Sequence, residues 1–155
     1  IHMITVVLGV EAVDGDPYAR FVATSSLMNY VVRTFVSSIV VKEGDPYGKS
    51  KASVMDGKSE TVLAVAKKDF YIVEKQGSQA EPKIQFKSNQ ESFRAPVKSG
   101  TNLGKLHYTD PDKIGRGYLE DQEPTVDMVA GRTIEKSFFL KVWWNEFVRY
   151  VNEKL

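Results

Sequence analysis

A chain of 155 residues, 42% hydrophobic and 26% charged, can bury one ordinary core with appendages, which excludes the disordered and collagen-like classes. A formal net charge of +1 supplies no field for gathering nucleic acid, and no Arg/Lys-rich aromatic platform replaces one, so nucleic acid is excluded as a partner. The absence of cysteine removes disulfides, thiolate catalysis and zinc-thiolate sites.

Ile1-His2-Met3 reads as a cloning remnant ahead of the natural sequence. Ile4 to Val10 is a nearly continuous apolar run of strand length, the pattern of a strand covered on both faces. After the turn-rich Asp14-Gly15-Asp16-Pro17, apolar side chains recur at Phe21, Met28, Val31 and Phe35. That period predicts a helix capped by Asp16 with Pro17 at its first position. One strand and one helix make no domain, so residues 1–37 read as the tail end of a larger α/β unit.

From Ser38 onward the texture changes to short alternating or β-branched runs. Ser38–Lys42, Lys49–Met55, Ser59–Ala66, Asp69–Glu74, Lys83–Lys87, Leu103–Tyr108, Gly115–Leu119 and Thr125–Val129 all read as strands. Asp56-Gly57 between two of them predicts a hairpin with a type I′ turn, which needs positive φ at both central residues. Gly77-Ser78, Asn89-Gln90 and Asp110-Pro111-Asp112 mark loops. The fold class is mainly β: a small antiparallel β-sandwich over residues 38–131, with a leftover strand and helix before it and an amphipathic helix within residues 132–155 after it.

Both tryptophans of the chain lie in that last segment. A turn of about 100° per residue places Phe139, Leu140, Trp143, Trp144, Phe147, Val148, Tyr150 and Val151 on one broad arc. Lys141, Asn145, Glu146, Arg149, Asn152 and Glu153 lie opposite, while Phe138 and Val142 break the pattern. Interfaces of bilayers favour Trp and Tyr because their rings have an apolar body and a polar tip. The arc therefore reads as a surface for a lipid interface or a partner, and the interspersed charges exclude a transmembrane span.

No catalytic, cofactor or metal site emerges from the residues. Lys98-Ser99-Gly100-Thr101 superficially matches an active-site element of serine penicillin-recognising enzymes, but no serine in the chain has a lysine three positions later to manage its proton. The fragment reads instead as a tight glycine turn between strands. His2 and His107 share no plausible metal, and His107 reads as a solvated strand histidine. Asp110, Asp112, Glu120, Asp121 and Glu123 match no calcium loop and read as a solvated acidic rim.

Three stretches together carry a resemblance. Ile4 to Gly9, then Ala19-Arg20-Phe21 and Leu27 to Val31, resemble the last strand and helix of the catalytic domain of D-alanyl-D-alanine carboxypeptidases, the low-molecular-mass penicillin-binding proteins. Ala95 to Gly100 with Gly104, and Gly115 to Leu119, resemble the β-rich C-terminal domain of that family. The run from Ser137 to Leu155 resembles the amphipathic tail with which such enzymes, especially streptococcal ones, sit on the outer face of the cytoplasmic membrane. The family's Ser-x-x-Lys, Ser-x-Asn and Lys-Thr-Gly motifs are absent from this chain.

The resemblance implies a non-catalytic β-domain and membrane anchor of a serine-type carboxypeptidase that trims peptidoglycan stem peptides. Its implied partner is a lipid surface through residues 133–155. The alternative is a protein- or peptidoglycan-interaction module whose terminal helix pairs with another protein or a second copy of itself. A carrier domain of the biotinyl or lipoyl kind is a weaker match, because no attachment lysine is identifiable, and an independent enzyme is equally weak.

Overall fold

The computed structural model of the chain describes residues 3–10, 17–78, 83–110 and 123–154, apart from the side chains of residues 139–142, 145, 146, 153 and 154. The elements run α1 (Ala19–Thr34), β1 (Phe35–Val41), β2 (Pro46–Met55), β3 (Thr61–Ala66), β4 (Phe70–Lys75), β5 (Lys83–Ser88), β6 (Ser92–Arg94), β7 (Asn102–Thr109), β8 (Thr125–Ala130) and α2 (Phe139–Lys154). The chain divides into two units, one of residues 1–38 and 71–80, the other of residues 39–70 and 81–155.

In the first unit, the strand predicted at Ile4–Val10 does not form. A strand covered on both faces needs neighbours to take its backbone N–H and C=O groups. Among the described residues none pairs with it, and Ile4 and Leu8 stand 93% and 87% exposed. The predicted helix forms, but later than expected. It starts at Ala19 behind Tyr18, whose carbonyl takes the amides of Phe21 and Val22 at 2.8 and 3.1 Å and whose side chain makes no capping bond. The proposed cap Asp16 lies outside the described residues. The helix stops where Phe35 turns to extended backbone, in a sequence of β-branched residues that favours a strand. No residue of α1 is buried. β1 and β4 form a two-stranded sheet, the Ser38 hydroxyl donates to Glu74 at 3.0 Å, and the Gln76 amide donates to the Thr34 carbonyl at 2.7 Å.

The second unit is built on a six-stranded sheet in the order β5-β7-β8-β3-β2-β6, antiparallel except for the parallel pair β2 and β6. The mainly β class holds. The sheet curls until β2 approaches β5 from across it. Strict alternation fixes which face is inside: Ala52 and Val54 of β2, Val62, Ala64 and Ala66 of β3, and Val126, Met128 and Ala130 of β8 are buried while their neighbours along each strand are more exposed. Leu103, Leu106 and Tyr108 of β7 complete the centre of this core. The run predicted at Gly115–Leu119 lies outside the described residues. β6 has no counterpart among the strands expected from sequence, because three residues with only Phe93 buried show no period.

Two of the turns bear directly on the sequence reading. Lys98–Thr101 is closed by the Thr101 amide on the Lys98 carbonyl at 3.1 Å with Gly100 at φ +83°, the positive φ a type II turn requires. The Asp56-Gly57 hairpin joins β2 to β3 as expected, but its type is not I′. Asp56 has φ +58° and Gly57 is not in the left-handed region, and the loop runs over residues 56–60. Gly57 is held by tertiary contacts instead of turn geometry: a Cβ there would meet Ile134, Val54 and the Ser59 carbonyl at 2.9 Å each.

At Gly104, where the pairing of β7 with β8 shifts register, the space for a side chain is filled by the Lys87 and Ser88 backbone of β5. Gly104→Ala should therefore cost about 2–3 kcal/mol, measured as a fall in urea midpoint, because a backbone neighbour cannot rotate aside.

Candidate functional site

Residues 132–138 form an extended strap that crosses from β8 to α2. Ile134 exchanges two backbone hydrogen bonds with Val97, at 2.8 and 2.9 Å, and sinks its side chain into the core. The Lys58 amide donates to the Glu135 carbonyl at 2.9 Å, and the Ser137 amide donates to the Asp56 carbonyl at 2.8 Å. On the surface Lys58 Nζ meets Glu135 Oε2 at 2.6 Å, and this charge-assisted hydrogen bond holds the Glu135 carboxyl below its usual range. The apolar Ile134 and the small Gly57 are what allow strap and hairpin to touch.

Asp56 is the electrostatic centre of this junction. Its side chain is only 2% exposed, and its two oxygens face two guanidinium groups: Oδ2 lies 3.2 Å from Arg94 Nε at the end of β6, and Oδ1 lies 3.0 Å from Arg149 Nη2 on α2. Arg149 also reaches Met55 Sδ at 3.8 Å. A carboxylate removed from water is tolerated when charged donors satisfy it. Asp is also among the few residues apart from glycine that accept a left-handed backbone. Beside it opens a groove of about 460 Å³ lined by Val54, Met55, Gly57 and Glu60 on the sheet side and by Trp144, Val148 and Arg149 on the helix side.

The helix is α2, 16 residues long and so roughly 24 Å. It begins at Phe139, because Thr133–Phe138 is taken up by the strap. Of the residues expected on its contact arc, Trp143, Trp144, Phe147 and Tyr150 are 62%, 58%, 48% and 61% exposed, Val148 is marginally exposed, and Val151 is half-buried. The side chains of Phe139 and Leu140 lie outside the described residues. Phe147 packs between the tryptophans, its ring centroid 6.1 Å from Trp143 and 5.9 Å from Trp144. No described helix is long and apolar enough to cross a membrane.

The remaining sequence candidates disperse. Ser99 belongs to the Lys98–Thr101 turn, its amide on Thr133 Oγ1 at 3.0 Å. Glu123 accepts from the Thr109 hydroxyl at 2.9 Å, while Asp112, Glu120 and Asp121 lie outside the described residues. His107 is half-buried on β7, opposite Gln85 and Thr125. Burial and then the charges of Lys87 and Lys105 push its imidazole below the ordinary value of about 6.5, against the pull of Glu123. The junction at Asp56 is the feature that sequence reasoning missed. Its two signals were a polar residue at a turn and an arginine on a helix's charged side, 93 residues apart.

The family described as penicillin-binding protein 5, C-terminal domain, matches residues 35–136. The chain belongs to this family. It is similar in structure to a peptidoglycan synthesis regulatory factor, PBP3, from Streptococcus pneumoniae, with a TM-score of 0.73 and 44% identity over 81% of this chain and 34% of that one. The fold also recurs in penicillin-binding protein 5 from Haemophilus influenzae, with a TM-score of 0.59 and 19% identity over 76% of this chain and 31% of that one. It recurs again in the D-alanyl-D-alanine carboxypeptidase DacD from Francisella tularensis, with a TM-score of 0.53 and 16% identity over 79% and 28%. The chain thus spans about a third of the length of the proteins it matches.

Two measurements follow from this penicillin-binding-protein domain. Arg94→Gln or Arg149→Gln alone leaves Asp56 one cation, so the double variant should be destabilised by at least about 1 kcal/mol beyond the sum of the singles in a urea double-mutant cycle. Because the folded protein lowers the affinity of His107 for a proton, the unfolded state binds more protons there. Its contribution to stability is present above pH ~6.5 and is lost as pH falls through the folded-state value. His107→Gln should accordingly flatten the decline of the urea midpoint below pH ~6.5 relative to the wild type.

Proposed function

We propose that this chain is the non-catalytic part of a serine-type D-alanyl-D-alanine carboxypeptidase, a β-domain and a foot that hold the enzyme at the outer face of the bacterial cytoplasmic membrane near its peptidoglycan substrate. The observation that carries the reading is the exposed aromatic cluster of Trp143, Trp144, Phe147 and Tyr150 on a terminal helix. Rings of this kind left in water by the protein's own core suit the boundary between headgroups and acyl chains. The absence of Ser-x-x-Lys, Ser-x-Asn and Lys-Thr-Gly from the chain supports a role without acyl transfer.

Energetics suit a reversible anchor. Full burial of a large apolar side chain contributes about 1.5–3 kcal/mol, and a shallow interfacial position delivers part of that per ring. Several rings together then rival a single acyl chain. Co-sedimentation of the full chain with vesicles of phosphatidylcholine and phosphatidylglycerol should retain the wild type. Trp143→Ala with Phe147→Ala should lower the partition coefficient by roughly 10- to 100-fold, the equivalent of about 1.4–2.8 kcal/mol. Equal sedimentation of both proteins would count against the anchor and for a peptidoglycan- or protein-binding module.

A further inference from the structure

We propose that the Asp56–Arg149 ion pair clamps α2 to the β-domain, so that the helix meets lipid along the edge formed by Trp143, Phe147 and Tyr150 while Trp144 and Val148 stay turned toward the hairpin. The lipid half of this proposal rests on the membrane reading above; the clamp itself does not.

The helix is tied to one residue twice. The Ser137 amide donates to the Asp56 carbonyl at 2.8 Å, two residues before α2 begins, and Arg149 Nη2 lies 3.0 Å from Asp56 Oδ1 in the third turn of the helix. One attachment just ahead of the helix and one well along it fix its direction, and the side from which Arg149 projects sets its rotation about its own axis. Asp56 makes a firm anchor point, because its carboxylate is buried and its backbone is held in the hairpin. Arg94 on its other oxygen balances the charge from within the sheet. Met55 Sδ, 3.8 Å from Arg149 Nη1, adds a soft contact beside the pair.

Rotation then sorts the aromatic residues. At about 100° per residue, Trp144, Val148 and Arg149, the three helix residues lining the groove, centre on one side of α2, and Trp143, Phe147 and Tyr150 centre roughly 150° round the axis from them. The broad arc expected from sequence thus divides in two. Trp144 and Val148 line the groove beside Val54 and Gly57, whereas Trp143, Phe147 and Tyr150 do not, and Phe147 joins the two sets through its ring contact with Trp144. Asp56 and Arg149 are positioning residues in this scheme, and the rings they position make the contact.

Both tryptophans lie in α2, so tryptophan fluorescence of the full chain reports that helix alone. In buffer without lipid, time-resolved anisotropy of the wild type should show both rings tumbling with the β-domain. Arg149→Gln should add a fast component of a few nanoseconds, Arg149→Lys should largely suppress it, and Arg94→Gln should leave the tryptophans restrained. Fast motion in the wild type equal to that of Arg149→Gln would overturn the clamp. The lipid half is read from vesicles of phosphatidylcholine and phosphatidylglycerol carrying brominated acyl chains, with Trp144→Phe leaving Trp143 and Trp143→Phe leaving Trp144. Trp143 should be quenched at least about threefold more than Trp144, and Arg149→Gln should bring the two together. Equal quenching in the presence of Arg149 would overturn the orientation while leaving the anchor intact. Absence of both quenching and sedimentation would overturn the lipid half together with the membrane reading, with the anisotropy still deciding the clamp.

Discussion

A buried carboxylate at a left-handed residue is the constraint on which the β-domain's terminal architecture depends. Withdrawing the charge of Asp56 from water costs several kcal/mol unless donors replace the lost hydration. The two that do come from distant parts of the sequence: Arg94 ends β6, and Arg149 sits in the third turn of α2. The arrangement exists only when β2, β6, the strap and α2 are all in place. Both arginines keep about half of their side-chain surface in water. The pairs therefore contribute less as net stabilisation than as specification, because alternatives that strand the carboxylate are penalised.

Packing around Asp56 makes that specification mechanical. Gly57 has no room for a Cβ because Ile134 and Val54 occupy it, and Ile134 is in turn pinned by paired backbone bonds to Val97. β6 pairs in parallel with the end of β2, which sets Arg94 beside Met55 and within reach of the same carboxylate. A single hairpin thus receives a parallel strand, an extended strap and a helix. Its sequence had to satisfy three neighbours at once, and the turn it adopts is the one those neighbours permit.

How much of this was legible in the sequence depends on the range of the interaction. Alternation over two residues marked β2, β3, β7 and β8, because each has one face in the core and one in water. The aromatic period marked α2, although its rings stand largely in water instead of in the core, and the family resemblance rested on the order of such local features. Ile4–Val10 misled because its composition records the neighbours a strand would need, and none pairs with it among the described residues. The type I′ turn at Asp56-Gly57 misled because the dipeptide preference belongs to a two-residue loop, whereas the chain takes residues 56–60 to pass from β2 to β3. The pairing of Asp56 with Arg149 left no trace at any local spacing. A helix's charged side reads as solvated until the partner across it is known.

A helix of 16 residues is marginal by itself in water, and exposed aromatic rings do nothing there to hold it. Its stability has to come from outside. The β-domain supplies one side, through the strap and through Arg149 on Asp56, and the groove-lining Trp144 and Val148 lie on that side. A lipid interface acting on Trp143, Phe147 and Tyr150 would engage the other side without displacing those contacts. Apart from Phe147, whose ring also meets Trp144, the two sets of residues are separate, so docking and insertion would reinforce each other: a helix already folded and oriented would not have to meet the ordering cost that a free tail meets when it enters an interface. The same reasoning explains why the arginine that orients the helix lies among its charges. Placed there, it binds the domain from a side that a lipid interface on the aromatic rings would leave free.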